Sequence, residues 1–157
     1  MSSINDDIKK IVSESSNLIL TCNSISDKIE LAVNEIVECL IKKNKIVIFG
    51  NGGSAADAQH IAAELIGRFQ KERESLPAIS LTTDTSIITS LANDYSFDVV
   101  FSRQCESLVS KGDVVLGIST SGNSKNVENG IISSKKKGAI TISLLGGDGG
   151  TIKKISD

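Results

Sequence analysis

Residues 46–64 read Ile46-Val47-Ile48-Phe49-Gly50-Asn51-Gly52-Gly53-Ser54-Ala55-Ala56-Asp57-Ala58-Gln59-His60-Ile61-Ala62-Ala63-Glu64. The opening run is apolar without alternation, which suits a strand buried on both faces of a parallel sheet. It breaks into a glycine-rich polar turn, and that turn opens an alanine-rich helix. A strand, a glycine loop and a helix start together aim free backbone N–H groups and a positive dipole end at one point, where anions and sugar hydroxyls bind. Ser54 suits the N-cap of that helix. The same helix carries His60 and Glu64, four residues apart and so on one face.

Working outward, residues 4–20 place Ile4, Ile8, Ile11, Leu18 and Ile19 at roughly helical spacing, with Asn5 or Asp6 as cap. Residues 25–43 repeat the theme with Ile29, Leu31, Ile36, Leu40 and Ile41. Residues 1–43 are therefore expected to be an N-terminal helical segment, and helices placed before a sheet pack across it or against a partner subunit. From residue 44 to 157 strands and helices alternate. Strands are expected at Lys45–Phe49, Ala78–Leu81, Val114–Ile118 and Ala139–Leu144. Helices are expected at Ala55–Phe69, Ser86–Leu91, Ser102–Val109 and Asn126–Lys136, the last ending at Gly138, with a further helical turn at Thr151–Ile155. This alternation is the signature of an α/β fold, a doubly wound parallel sheet covered by helices on both faces. The chain stops at Asp157, where a further strand and helix are expected to follow.

The length, 157 residues, suits a single domain with a real core. Net charge is −2 and aromatics make up 3%, so neither a basic footprint nor a stacking platform argues for nucleic acid. The start is acidic and lacks the pattern of a secretory signal, and no apolar run reaches membrane-spanning length. Cys22, Cys39 and Cys105 are odd in number and widely spaced, which fits reduced thiols in the cytoplasm.

A second loop, Gly117-Ile118-Ser119-Thr120-Ser121-Gly122-Asn123-Ser124, also follows a strand and precedes a helix. Hydroxyls, backbone N–H groups and a helix start form a donor array suited to a phosphate monoester, without a lysine. Two such loops at the carboxyl ends of strands in one sheet point to a sugar-phosphate pocket, because ligands of open α/β sheets bind at that edge. The first loop is neither a dinucleotide fingerprint, since Ala55 stands where the third glycine belongs, nor a P-loop. His60 with Glu64 makes either a pair of metal donors or a proton shuttle; a metal site wants three or four ligands, and a surface hydrogen-bonded pair is the plain alternative. Asn93-Asp94 reads as a turn or cap after an apolar helix, the turn favoured, with contact to sugar hydroxyls as the functional alternative.

Three blocks, GNGGSAADAQHIAAELIGRF at 50–69, LANDYSFDVVFSRQ at 91–104 and GDVVLGISTSGNSKNV at 112–127, resemble the sugar isomerase (SIS) domain family, and within it the isomerases of seven-carbon sugar phosphates. The resemblance implies an aldose–ketose isomerase that converts sedoheptulose 7-phosphate to D-glycero-D-manno-heptose 7-phosphate for surface polysaccharide. It implies a homotetramer with active sites at subunit contacts. By position, Asn51, Gly52, Gly53, Asn93 and Asp94 would contact substrate, and Ser119, Thr120, Ser121 and Ser124 would hold the phosphate. Glu64 would be the catalytic carboxylate, His60 and Glu64 would bind zinc, and Arg68 would be auxiliary. In the family a glutamine and a histidine on a later helix complete the zinc site, the histidine as second acid/base, and the sequence stops before that helix. A non-catalytic SIS module that binds a sugar phosphate or scaffolds other proteins is the competing reading.

Overall fold

The structure, a computed structural model, describes residues 3–157. The chain forms two compact units, one ending at Asn34 and one running Glu35–Asp157. In the first, α1 (Ile4–Thr21) is capped by Ser3, not by Asn5 or Asp6 as expected. Ser3 Oγ accepts from the Asp6 N–H at 3.1 Å, and Asp6 Oδ2 accepts from the Ser3 N–H at 3.3 Å. This reciprocal box satisfies two donors that the helix leaves open, which is why the cap lies three residues before the acid. A single 3-10 turn, Cys22–Ile25, leads into α2 (Ser26–Ile41), whose last residues belong to the second unit. Ile4, Ile8, Ile11, Leu18 and Ile19 of α1 stay exposed.

The second unit is built on four parallel strands in the order β2-β1-β3-β4: β1 Ile46–Gly50, β2 Ala78–Ser80, β3 Val114–Ser119 and β4 Ile140–Leu145. The central strands β1 and β3 are buried along their whole length, as their unbroken apolar runs require. Alternate side chains feed two cores. Val47, Phe49 and Val115 pack with Val100, Phe101 and Cys105 of α5 (Val100–Leu108) and with Val127 and Ile131 of α6 (Lys125–Lys136). Phe49 and Phe101 stack with ring centroids 4.9 Å apart. Ile46, Ile48, Val114, Leu116 and Ile118 pack with Ala58 and Ala62 of α3 (Gly53–Ile66) and with Cys39 of α2. Burying one such large side chain contributes about 1.5–3 kcal/mol. Helices thus cover both faces, and the doubly wound α/β architecture read from the alternation is the one found.

Element ends differ more than elements do. The helix expected at 55–69 starts at Gly53 and stops at Ile66, because Gly67 follows in a non-helical conformation. The helix expected at 86–91 is α4 (Thr85–Asp94), capped by Asp84 through the Ile87 N–H, so Asn93 and Asp94 close a helix instead of forming a turn. The last helical turn is a 3-10 turn at Ile152–Lys154.

At the amino edge of the sheet, Asp113 is the polar lock. It is buried, its Oδ2 meets Lys45 Nζ at 2.6 Å and accepts from the Ser110 N–H at 2.7 Å, and its Oδ1 accepts from the Lys45 N–H at 3.1 Å. Asp113→Ala strands two backbone donors and an ammonium next to the core, so urea unfolding is expected to show a loss of about 2–4 kcal/mol. Cys105 gives a second check. Burial pushes its thiol from 9.0 up to about 11, against the lowering effect of Ser134 and with a raising contribution from Glu106. The unfolded thiol ionises near pH 9 while the folded one keeps its proton to about pH 11, so this contribution to stability is complete below pH 9 and is lost as pH rises through that window. Stability measured from pH 9 to 11 is expected to fall less in Cys105→Ala than in the parent.

Candidate functional site

Parallel pairing sets Gly50 of β1 opposite Ile118 of β3, so the two glycine- and hydroxyl-bearing loops leave the sheet side by side at its carboxyl edge. Gly50 is required there. A Cβ on it would lie 2.8 Å from the Ile118 carbonyl oxygen and 2.8 Å from Ser54 Cβ. Gly52 then takes φ +55° and ψ −122°, a conformation open to glycine, and caps α3 through its backbone. Ser54 is not the cap; its side chain is buried within the first turn. The N–H groups of Ser54, Ala55 and Ala56 bond back to the Asn51 and Gly52 carbonyls. The open donors at this helix start are therefore the N–H groups of Gly52 and Gly53.

In the second loop, Ser119 is buried and donates its hydroxyl to Ser124 Oγ at 3.1 Å. Ser124 stands at the N-cap of α6 but its side chain makes no capping bond, so its own proton is left to donate outward. Thr120 and Ser121 are exposed; Ser121 Oγ accepts from the Asn123 N–H at 3.2 Å. The loop is held from behind by the turn after β4. Gly122 carbonyl oxygen accepts from the Ile152 N–H at 3.0 Å, and Asn123 Oδ1 accepts from the Thr151 N–H at 3.0 Å. Gly122 sits at φ +65°, and a Cβ there would collide with the backbone of Gly149 and Gly150.

The two loops are tied by a pair that the sequence reading missed. Asn51 Nδ2 donates to Asn126 Oδ1 and Asn126 Nδ2 donates back to Asn51 Oδ1, both at 2.8 Å. Nothing in the local pattern around Asn126 marks it, since its partner lies on another strand's loop.

His60 and Glu64 do share one face of α3, with Nε2 and Oε1 3.6 Å apart. His60 is 76% exposed at the side chain and Glu64 36%. Sharing a helix does not put them beside the glycine loop. At about 1.5 Å per residue, the Glu64 backbone lies roughly 16 Å along α3 from Gly53, and its side chain leans back toward the helix start. Arg73, also missed by the sequence reading, fixes that far end: Nη2 donates to the Glu64 carbonyl at 2.6 Å and Nη1 to the Leu65 carbonyl at 2.8 Å. Arg68 pairs instead with Glu72 at 3.1 Å. Asn93 and Asp94 are exposed at the C-terminal end of α4 and bond to each other at 2.9 Å; no hydrogen bond joins them to either loop. Among the described residues no three His, Cys, Asp or Glu side chains gather. Zinc takes three or four donors, so His60 and Glu64 do not by themselves fit the metal that the resemblance implies.

Residues 12–146 match the family described as SIS domain. A phosphoheptose isomerase of Pelobacter propionicus is 58% identical over 123 residues, which cover 78% of this chain and 65% of that protein. A probable phosphoheptose isomerase of Thermoplasma acidophilum is 54% identical over 156 residues, covering 96% of this chain and 82% of that protein. The chain thus spans just under two thirds of the first relative and more of the second. Among solved structures, phosphoheptose isomerase of Neisseria gonorrhoeae superposes with a TM-score of 0.93 at 39% identity, over 99% of this chain and 82% of that one. The corresponding enzyme of Francisella tularensis gives 0.92 at 33% identity, over 100% and 82%.

The glycines of the two loops are separable by substitution. Gly122→Ala meets both a left-handed φ and a backbone collision, so urea unfolding is expected to show a loss of about 2–4 kcal/mol. Gly53→Ala meets nothing within 4 Å, and its stability is expected to stay within about 1 kcal/mol of the parent.

Proposed function

The chain belongs to the SIS domain family, and we propose that it isomerises a phosphorylated heptose, converting sedoheptulose 7-phosphate to D-glycero-D-manno-heptose 7-phosphate. The observation that carries this reading is the joined donor array at the carboxyl edge. Gly52 and Gly53 N–H groups, the hydroxyls of Thr120, Ser121 and Ser124, and the start of α6 share one sheet edge, and Lys125, the first residue of α6, is paired with Glu128 at 3.2 Å, which suits a phosphate monoester held mainly by dipoles and hydrogen bonds. The names of the relatives support the same substrate.

Isomerisation moves a proton between C1 and C2 through an enediol, so a base must reach a weakly acidic C–H. Glu64 takes that role in the proposed reaction, withdrawing the proton from C1 and returning it to C2, while a proton passes from the C1 hydroxyl to the C2 oxygen so that the ketose becomes an aldose. The phosphate is remote from the reacting carbons, so its binding serves to orient them. In the proposed arrangement, with sites at subunit contacts, the sugar held by one protomer is served by the carboxylate of its partner. A homotetramer with sites at subunit contacts fits this arrangement. The exposed apolar side chains of α1 support it too, since a monomer rarely leaves so many apolar residues uncovered on one helix. Asn93 and Asp94, exposed at the end of α4, would contact the sugar. His60 orients Glu64 in this scheme, and the pair would supply two of the donors of a zinc ion. Heptose made this way would supply surface polysaccharide from the cytoplasm; among the described residues no helix is long and apolar enough to cross a membrane.

A second reading is a sugar-phosphate-binding module without catalysis. It is favoured by one observation: His60 and Glu64 lie on the surface with only each other as side-chain partners. One experiment decides between them. The parent is expected to turn sedoheptulose 7-phosphate into an aldose, and Glu64→Gln to bind it with similar affinity while turning over about 10²–10⁴-fold more slowly. Binding without turnover in the parent would establish the second reading. Mixed oligomers of Glu64→Gln and Ser124→Ala chains are expected to regain part of the activity that each lacks alone.

A further inference from the structure

Asn126 is 3% exposed at the start of α6 and cannot touch a ligand. Its Oδ1 accepts from the Val127 N–H at 2.9 Å as well as from Asn51 Nδ2. A backbone N–H can only donate, so Val127 fixes which end of the Asn126 amide is oxygen. The nitrogen then faces Asn51, and the Asn51 amide must answer in the opposite sense. One N–H and one oxygen lone pair of Asn51 remain, on a half-buried side chain at the mouth of the glycine loop.

We propose that Asn126 is a positioning residue for the sugar-phosphate reaction. It sets the orientation of the Asn51 amide and pins the glycine loop of β1 to the helix that begins behind the hydroxyl loop. The inference rests on the isomerase reading above, because it needs a ligand that Asn51 contacts. Two amides in a reciprocal pair have one satisfied arrangement once Val127 is counted. Asn51 therefore meets the substrate with its donor and acceptor already assigned, and no rotamer search is left to the binding step.

The test uses the full chain and sedoheptulose 7-phosphate. Asn126→Leu removes both bonds to Asn51. Asn126→Asp keeps the oxygen that faces Val127 and sets a second acceptor against Asn51 Oδ1. Each variant that melts as a single folded species is expected to raise KM about tenfold with kcat within about threefold of the parent. In an Asn51→Ala background the same changes are expected to alter KM by less than about twofold, because the residue through which Asn126 acts is gone. Unchanged KM in a folded Asn126 variant, or fully multiplicative effects in the double variants, would overturn the role while leaving the isomerase reading intact. A parent that neither binds nor converts the sugar phosphate would overturn both. Hydrogen exchange gives a readout that needs no variant to fold: the Asn51 side-chain amide of the parent is expected to exchange slowly, and exchange at the rate of a free asparagine would sink the proposal.

Discussion

The carboxyl edge of the sheet depends on one missing side chain. At Gly50 the end of β1, the Ile118 carbonyl of β3 and Ser54 of α3 come within a distance that no Cβ tolerates. That close approach brings the two loops together and starts α3 at Gly53. With any other residue at position 50, the strand ends would spread and the helix start would move away from the hydroxyl loop. Both strands also bury all their residues between helices, so the edge cannot relax by shifting β1 outward.

The second loop is held as firmly, by interlocking turns. Gly122 and Gly150 face each other so closely that a Cβ on either would enter the other's backbone, and a Cβ on Gly146 would strike the Thr120 carbonyl. The result is a rigid rear wall with a polar front. Ser119 is spent on Ser124, while Ser124 and the exposed Thr120 still have protons to donate. Lys125, the first residue of α6, is paired with Glu128, so the loop relies on such fixed dipoles, since a flexible donor gives up much of its interaction energy in becoming ordered.

The sequence made the fold legible where burial speaks locally. β1 and β3 are continuous apolar runs because both faces are covered, and the alternation of strand and helix requires parallel pairing. Boundaries were harder, since caps depend on where the chain comes from. Ser54 looks like an N-cap in the sequence, but the turn at Gly52 has already begun the helix, and Ser54 falls inside it. Asn93-Asp94 looks like a turn, but Asp84 starts α4 early enough that both residues complete its last turn. The site was legible as two loops and unreadable as a joined pair. Asn51 and Asn126 are 75 positions apart, and their reciprocal bond follows from the strand order β2-β1-β3-β4, which no local pattern contains.

Helix α3 turns these local facts into a constraint on chemistry. Its start is set by Gly50 and Gly52, and its end by Arg73, whose guanidinium takes the Glu64 and Leu65 carbonyls. A cation at that end also meets the negative pole of the helix dipole. A helix fixed at both ends is a rod, and it keeps Glu64 at a nearly constant distance from the loop of the same chain. On the proposed reading, the reach of the carboxylate is therefore set by its side chain and by packing, not by flexing of the helix. On the same reading, where two copies supply one site, the residues that set their meeting govern turnover as directly as the carboxylate itself.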